Sequence, residues 1–323
     1  MKETICVTGG AGYVGSIVVD ELLRRGYKVR ALDSLLHGSI PSLLLPWGME
    51  GFEFIPGDIR SPGVRQQALA GADAVVHLAA IVGDPACARD PKEAVTVNVE
   101  GTRDLLLDAH SAGVRRFIFA STCSNYGKMN GSTPATEDFP LRPVSVYAET
   151  KVAAEYEVLE RSDRSMACCC LRFATVFGTS PRMRFDLTVN EFTRDVTLAR
   201  ELVVYGEQFW RPYVHIRDAA AAVVAALRAS PHRVGAQVYN VGSNTETYRK
   251  LDIVNLLQER FRDLRVRYVH KSEDPRDYRV SFDKIGTALE YTALRSVGQG
   301  MDEIRALLSS GLIADPDAAI YRN

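Results

Sequence analysis

A phenol and an amine stand four residues apart in the segment VYAETK, at Tyr147 and Lys151. Residues at this spacing project from one face of a helix, so a helix that begins near Tyr147 and runs to about Arg161 would hold the two groups together. The pKa of a free tyrosine is about 10, and a fixed positive charge nearby lowers it because it stabilises the phenolate. Tyr147 could then act as a general base or acid toward a hydroxyl group near neutral pH.

Thr122 supplies a third polar group for the same chemistry. It follows the apolar run Phe117 to Ser121, which predicts a β-strand. At the end of that strand, its hydroxyl could hydrogen-bond the oxygen that Tyr147 deprotonates and stabilise the charge that develops there. Two donors would then converge on one reacting oxygen.

A glycine-rich loop, TGGAGYVGS, follows the short apolar run Thr4 to Thr8 and leads into the amphipathic stretch Tyr13 to Arg25. This order predicts a strand, a tight turn and a helix. The glycines would permit the turn, let backbone N–H groups approach a diphosphate at the positive end of the helix, and let helix and strand pack closely. The three glycines in register are Gly9, Gly12 and Gly15.

Asp33 indicates which dinucleotide this loop would bind. It follows the strand Lys28 to Leu32, where a carboxylate can accept hydrogen bonds from both ribose hydroxyls of an adenosine. A carboxylate there would repel a 2'-phosphate, so we expect NAD rather than NADP. A strand-end aspartate can also serve only as a turn cap, but the preceding loop favours cofactor binding. The loop likewise favours a catalytic role for Tyr147 and Lys151, a pair whose spacing alone is common on helix surfaces.

Apolar strands alternate with helical stretches through the first half of the chain. We predict strands over Phe52 to Ile55, Ala74 to Leu78 and Phe117 to Ser121, with a helix over Pro91 to Ala112. This alternation predicts an α/β fold with a Rossmann-type, doubly wound parallel sheet. Such sheets bind ligands at the carboxyl ends of their strands, so we expect the segments GDIR, HLAA and STCSNYG to line a pocket.

The length of 323 residues predicts a large domain and a smaller lobe, because one hydrophobic core rarely serves so long a chain. An alanine-rich helix with Asp218 as its cap, and a buried strand over Gln237 to Val241, predict that the chain returns to the first sheet. We expect an NAD-binding Rossmann domain over 1–173, rejoined at about 212–242, and a mixed α/β substrate lobe over 174–211 and 243–323.

Charge and cysteine usage exclude several other classes of protein. The formal net charge is −1 with both signs interspersed, which argues against a nucleic-acid or anionic-membrane partner. The first strand begins without a signal peptide and no apolar run could span a bilayer, so we expect a cytoplasmic protein. The six cysteines and six histidines show no metal-ligand spacing, and we expect no metal. We expect Cys168, Cys169 and Cys170 to be reduced core residues.

Taken in order, the motifs TGGAGYVG, GDIR, HLAA, NVEGT, STCSNYG and YAETK resemble those of the extended short-chain dehydrogenase/reductase superfamily. The resemblance covers nearly the whole chain and is greatest to the nucleotide-sugar epimerases and dehydratases. It implies that Thr122, Tyr147 and Lys151 are the catalytic triad and that Lys151 also holds the nicotinamide ribose. The NAD site that it implies comprises Gly9, Gly12, Tyr13, Val14, Gly15, Asp33, Asp58, Ile59, Leu78, Ala79, Ala80, Asn98, Tyr147 and Lys151. Asn98 would also support the catalytic helix against the active-site strand.

The same resemblance implies a nucleotide diphosphate sugar as substrate. RPYVHIRDAA and DYRVSFD are similar to the family's two arginine segments, so Arg211 and Arg279 would bind the substrate diphosphate. Structural salt bridges are the alternative role for both arginines. Ser124 would face the sugar, and RMRFD, residues 182–186, is a further candidate for substrate contact without an assigned role. His215 is expected to be a packed strand residue.

The residues after Thr122 distinguish the reactions found in such a family. The 4,6-dehydratases carry an Asp-Glu pair there, whereas this chain has Cys123 and Ser124, and Cys123 is expected to face away from the substrate. We therefore expect an NAD-dependent epimerase, most simply a 4-epimerase, that oxidises a sugar hydroxyl transiently and returns hydride to the other face. Ala174 and Thr175 stand where many members have an asparagine, so another carbon could be the one inverted.

Two other functions remain open from the sequence. An NAD(P)H-dependent ketoreductase of a nucleotide-linked keto sugar would use the same three catalytic residues, and a noncatalytic dinucleotide sensor would need none of them. The resemblance also implies a homodimer in which the helices at 91–112 and 147–161 pair. Its apolar surface would include Val99, Leu106, Val152 and Leu159, although burial within one subunit would explain the same residues.

Overall fold

The computed structural model describes residues 2–129, 133–270 and 277–323. Its strands are β1 (Thr4–Thr8), β2 (Lys28–Asp33), β3 (Phe52–Pro56), β4 (Ala74–His77), β5 (Arg116–Thr122), β6 (Ala167–Phe173), β7 (Thr175–Phe177), β8 (Leu202–Tyr205), β9 (Trp210–His215), β10 (Gln237–Val241), β11 (Thr247–Arg249) and β12 (Val266–Val269). Its helices are α1 (Tyr13–Arg24), α2 (Pro41–Leu44), α3 (Pro62–Leu69), α4 (Asp84–Arg89), α5 (Pro91–Val95), α6 (Gly101–Ser111), α7 (Val146–Glu160), α8 (Thr188–Thr197), α9 (Ile216–Arg228), α10 (Pro231–Val234), α11 (Lys250–Gln258), α12 (Asp283–Leu289) and α13 (Val297–Ser309).

The central sheet has seven strands among the described residues, in the order β10-β6-β5-β4-β1-β2-β3, and every pairing in it is parallel. Its strands read as short apolar runs because helices cover both faces of the sheet. In β6 all seven residues are buried, and Cys169 packs in one core cluster while Cys168 and Cys170 pack in the other. The predicted α/β, doubly wound parallel sheet is confirmed.

The strand order reverses between β1 and β4, which creates a crevice at the carboxyl edge of the sheet. The glycine loop leaves β1 at this edge, Asp33 ends β2, and Thr122 ends β5. Residues that are far apart in the sequence therefore come together at one end of the sheet.

A smaller lobe has its own strands and core. Strands β11, β9 and β7 form one sheet, and β12 pairs with β8 in another. Their apolar residues pack with α8, α11 and α13 in a separate cluster that includes Phe177, Phe192 and Ile253. The chain returns to the first sheet through β10, which pairs with β6.

Two local predictions were wrong in detail. Asp218 does not cap the alanine-rich helix, because α9 already begins at Ile216 and the ring of His215 accepts the hydrogen bond from the Arg217 amide. Asp218 is instead buried in the first turn, where it accepts hydrogen bonds from the Arg295 backbone and guanidinium at 2.8 and 2.7 Å. The helix expected over Pro91 to Ala112 is interrupted by a π-helical turn, Thr96–Glu100.

Within the described part of the chain, no helix has both the length and the apolar character that crossing a membrane requires.

Candidate active site

The glycine loop adopts a geometry that larger residues could not share. Gly9 has a φ of +70°, and a Cβ there would lie 2.8 Å from the Ala79 nitrogen. A Cβ on Gly15 would lie 1.9 Å from the Gly9 carbonyl oxygen, well inside any van der Waals contact. The loop backbone can therefore lie directly against the first turn of α1, with that turn's N–H groups at the crevice.

A cleft of about 310 Å³ lies over this loop at the carboxyl edge of the sheet. Eleven of the residues predicted for the cofactor site line it. They are Gly9, Gly12, Tyr13, Val14, Gly15, Asp33, Asp58, Ile59, Leu78, Ala79 and Ala80.

Asp33 lies half-buried in the cleft, and two backbone amides hold its carboxylate. It accepts hydrogen bonds from Ala11 N at 3.0 Å and from Leu35 N at 2.8 Å. Burial raises the pKa of Asp33, and these two hydrogen bonds oppose the increase. Each carboxylate oxygen keeps a lone pair for a further donor such as a ribose hydroxyl.

Asn98 does not line this cleft. It is buried in the π-helical turn, where its carboxamide accepts from Ile81 N at 2.8 Å and donates to Ile81 O at 3.0 Å. The same amide nitrogen donates to the Thr150 hydroxyl of α7 at 3.1 Å. Asn98 thus connects a cleft-lining segment that follows β4, rather than the active-site strand β5, to the helix that carries Tyr147.

Tyr147 and Lys151 lie in the first two turns of α7, and Ser145 caps this helix by accepting from the Ala148 amide at 3.3 Å. Thr122, at the end of β5, is within hydrogen-bonding reach of the Tyr147 phenol. The structure thus brings the phenol and the hydroxyl together, although they are 25 residues apart in the sequence.

The pKa of Tyr147 is raised above its ordinary value, contrary to the expectation from the sequence. Burial is the largest cause, because it removes the hydration of the phenolate. The guanidinium of Arg184 and the hydrogen bond from Thr122 lower this pKa, while Asp84 raises it.

The Lys151 amine contacts the carboxyl end of β5. Its Nζ donates to the Ala120 carbonyl oxygen at 2.9 Å and lies 4.7 Å from the Phe119 ring centroid. Burial lowers the pKa of Lys151 to about 8. The amine is therefore fixed under the carboxyl end of β5.

A buried ion pair behind these residues was not predicted. Glu155 and Arg172 pair at 2.7 Å, with side chains that are 2% and 5% exposed. Glu155 also accepts from the Ser121 hydroxyl and from the Asn125 amide, the latter at 2.9 Å. The network connects α7 to the strands β5 and β6, so it fixes the distance between Tyr147 and Thr122. The spacing Tyr147, Lys151, Glu155, four residues at each step, is the sequence signal that could have revealed it.

The substrate-binding residues predicted from the sequence form a second cluster. The Ser124 hydroxyl lies 3.3 Å from the Tyr278 hydroxyl, and the Arg211 guanidinium lies 5.3 Å from the Tyr278 ring centroid. Arg279 stacks at 4.9 Å over the ring of Trp210. The cluster thus contains two guanidinium groups and two aromatic rings, and Ser124 connects it to the end of β5.

Cys123 and His215 are buried away from these clusters. The Cys123 thiol donates to the Arg172 carbonyl oxygen at 3.2 Å, and burial raises its pKa. His215 is fully buried and contacts Glu303 at 3.1 Å.

Arg182 and Arg184, the two arginines of the unassigned segment RMRFD, line the cofactor cleft together with the glycine loop. Sequence reasoning did not place them there, because the cleft forms only when β7 brings the following segment back over α1.

These features define a class of protein: an α/β enzyme fold with a dinucleotide-binding cleft. Tyr147 and Lys151, which were predicted for the cofactor site, are not among the cleft-lining residues, but Arg184, which lines the cleft, lowers the pKa of Tyr147. The glycine cradle and Asp33 fit an adenine dinucleotide, since backbone N–H groups suit a diphosphate and a carboxylate suits ribose hydroxyls.

Comparison with known proteins supports this assignment to a dinucleotide-binding α/β enzyme fold. The profile of the NAD dependent epimerase/dehydratase family matches residues 5–242. The chain belongs to this family, and the predicted membership of the extended short-chain dehydrogenase/reductase superfamily is confirmed.

Individual relatives are similar over most of the chain. A UDP-glucose 4-epimerase from Mycolicibacterium smegmatis is 33% identical over 245 residues, 75% of this chain and 77% of the relative. The crystal structure of a UDP-glucuronic acid 4-epimerase from Bacillus cereus, in complex with UDP-glucuronic acid and NAD, superposes with a TM-score of 0.85 at 27% identity and covers 95% of this chain and 99% of that chain. A dTDP-glucose 4,6-dehydratase from Streptomyces venezuelae with NAD bound superposes with a TM-score of 0.84, also at 27% identity, and covers 95% of this chain and 98% of that one. The predicted cofactor, NAD, is the one found in both solved structures.

Proposed function

We propose that this protein is an NAD-dependent UDP-sugar 4-epimerase. The observation that carries the proposal is a cleft lined by the glycine loop and Asp33, together with Tyr147, whose phenol is close enough to Thr122 and to the cleft-lining Arg184 for both to lower its pKa. The relatives that carry a UDP-sugar 4-epimerase activity in their names support the choice of UDP and of carbon four.

Hydride transfer, proton transfer and stabilisation of the reacting oxygen would be carried out by different groups of the site. Bound NAD would accept and return the hydride and, when oxidised, would add a positive charge that favours the Tyr147 phenolate. The Tyr147 oxygen removes the proton from the sugar hydroxyl and later returns it, while Thr122 donates a hydrogen bond to the same oxygen. Because burial raises the pKa of Tyr147, nearby positive charge is required, and Arg184 supplies part of it.

The diphosphate of the substrate would bind Arg211 and Arg279. Both guanidinium groups lie over aromatic rings of one cluster, and this cluster begins at Ser124, two residues after Thr122. Arginine suits a diphosphate because its planar fork can donate two hydrogen bonds to it.

Dehydration is disfavoured, because Cys123 and Ser124 stand where the family's dehydratases have acidic residues and Cys123 is fully buried. A reductase of a keto sugar would use the same residues but would consume reduced cofactor.

The experiment incubates purified protein with UDP-linked hexoses and hexuronic acids and follows the product by NMR. We expect interconversion at carbon four without net change in nicotinamide absorbance, and loss of turnover in Tyr147→Phe with NAD binding retained. Net oxidation of added NADH by a keto sugar, without isomerisation, would instead show a reductase.

We also propose a homodimer formed by α6 and α7. Leu106, expected at the interface, cannot contribute because it is 2% exposed and packs in the core. Val99, Val152 and Leu159 are half-buried. The exposed apolar residues on these helices are Leu107 at 41% and Tyr156 at 60%.

The test of the dimer is Leu107→Asp combined with Tyr156→Asp. Two carboxylates buried at an interface would dissociate it, whereas they would be tolerated on a free surface. Light scattering should show a dimer for the natural sequence and a monomer for the variant. A monomeric natural protein, or a dimeric variant, would contradict this interface.

The domain boundaries and the cytoplasmic location remain predictions from the sequence.

A further inference from the structure

Arg182 is a buried cation without a carboxylate partner among the described residues. Its side chain lines the cofactor cleft, and the residue is 5% exposed. Its Nη2 donates to Arg322 O at 2.9 Å and to the Asn323 side-chain oxygen at 2.7 Å, but its Nε has no hydrogen-bond partner. A buried donor without a partner costs free energy, so it needs a ligand or another compensating contact.

The charge around Arg182 is positive on balance. Arg184, 8% exposed, lines the same cleft and pairs with Asp186 at 2.6 Å, so it uses the nearest carboxylate. Burial and the charge of Arg184 lower the pKa of Arg182 to about 10, and Asp186 and Asp33 only partly offset them. An anion in the cleft would relieve both the burial and the repulsion.

The segment that carries these arginines is fixed against the start of α1. The Tyr13 hydroxyl donates to the Gly178 carbonyl oxygen at 2.8 Å, and the Ser180 hydroxyl donates to the Tyr13 carbonyl oxygen, also at 2.8 Å. The Ser16 and Ser180 hydroxyls lie 3.0 Å apart. The lining of the cleft therefore includes both the glycine loop and the two guanidinium-bearing residues.

We propose that Arg182, supported by Arg184, binds the diphosphate of NAD together with the glycine loop. The glycine loop contributes backbone dipoles but no charged side chain, whereas the diphosphate carries negative charge that a guanidinium can bind through two hydrogen bonds. The substrate diphosphate is a less suitable ligand, because Arg211 and Arg279 lie in the separate cluster around Trp210 and Tyr278. A 2'-phosphate is also less suitable, because Asp33 lies in the same cleft.

This arrangement suits an epimerase, which keeps its cofactor through each turnover. The inference rests on NAD as the cofactor and not on the identity of the sugar, so it can fail or succeed independently of the proposed epimerase activity.

The test measures binding of NAD, ADP, adenosine, NADP and UDP to cofactor-free protein by calorimetry. In Arg182→Gln we expect NAD and ADP affinity to fall about 10- to 100-fold, the effect of losing a hydrogen-bonded charge, while adenosine and UDP affinity stay unchanged. NAD should also dissociate faster from this variant.

Arg194→Gln is the matched control. Arg194 is equally buried at 5% exposed, but it pairs with Asp195 at 2.7 Å and does not line the cleft. This change should lower thermal stability and leave NAD affinity unchanged.

Arg182→Lys keeps the proposal testable if the glutamine variant does not fold. It preserves the charge but removes Nε and the planar fork, so NAD affinity should fall about 3- to 10-fold. Unchanged NAD affinity in the folded variants would overturn the proposal. A selective loss of UDP affinity would assign Arg182 to the substrate, and a selective loss of NADP affinity would assign it to a 2'-phosphate, and either result would also overturn it.

Discussion

The buried pair between Glu155 and Arg172 gives the sharpest prediction about what holds the catalytic residues in place. In Glu155→Gln the side-chain volume is kept, but the Arg172 guanidinium loses its only anion within 3.2 Å among the described residues. Breaking a buried ion pair on one side costs about 3–5 kcal/mol, because the remaining charge stays buried without compensation. We expect the free energy of unfolding to fall by that amount and kcat to fall with it, since Thr122 and Tyr147 are set by the same network.

The assay is urea unfolding of a double-mutant cycle. Because each single change leaves one buried charge unpaired, the combination of Glu155→Gln with Arg172→Met should be less destabilising than the sum of the two by about 2 kcal/mol or more. Glu53→Gln is the control, because its pair with Arg30 has the same 2.7 Å separation but Glu53 is 52% exposed, and surface pairs contribute about 1 kcal/mol or less. Additive effects, or a loss in Glu155→Gln no greater than in the control, would refute the reasoning.

Two further predictions concern stability and cofactor affinity. Burial, assisted by the charge of Lys151, lowers the pKa of His77 to about 3, so the unfolded chain binds a proton below pH 6.5 while the folded protein does not. Stability should therefore fall as the pH drops from 6.5 towards 3, by up to about 1.4 kcal/mol per pH unit, and His77→Gln should have a flatter pH dependence in thermal unfolding. Parallel profiles for the two proteins would show that His77 does not titrate in this way. Gly15→Ala places a Cβ 1.9 Å from the Gly9 carbonyl oxygen, so the loop must move and NAD affinity should fall at least about 10-fold, whereas Gly63→Ala, whose Cβ meets nothing within 4 Å, should bind NAD normally. Calorimetry decides this comparison, and equal affinities would mean that the loop can shift without cost.

Much of the Rossmann sheet could be predicted from the sequence because its signals are local. The glycine loop predicts the β1–α1 turn, and short apolar runs predict the central strands that helices bury on both faces. The strands β7, β8, β11 and β12 were not predicted, because they are short and belong to small sheets whose pairing depends on distant segments. The π-helical turn at Thr96–Glu100 was not predicted either, and it contains Asn98, whose side-chain amide hydrogen-bonds Ile81 and Thr150.

Candidate site residues could be selected from the sequence where residue type and spacing indicate a role. Properties that depend on the folded surroundings, such as a pKa or proximity to another segment, could not. Tyr147, Lys151 and Thr122 could be selected by type and spacing. The pKa of Tyr147 could not, because burial dominates it and burial depends on the whole fold. Arg182 and Arg184 show the same limit, since their proximity to the glycine loop exists only after the chain has crossed from β7 over α1.

The most direct test of the central claim follows a UDP-hexose that carries deuterium at carbon four, with NAD-loaded protein and its Tyr147→Phe variant. We predict inversion at carbon four with the deuterium retained, without net change in nicotinamide absorbance, and no inversion by the variant although NAD remains bound. Inversion that proceeds equally well in Tyr147→Phe, or with the deuterium exchanged into solvent, would contradict a mechanism in which this tyrosine moves the proton and the cofactor moves the hydride.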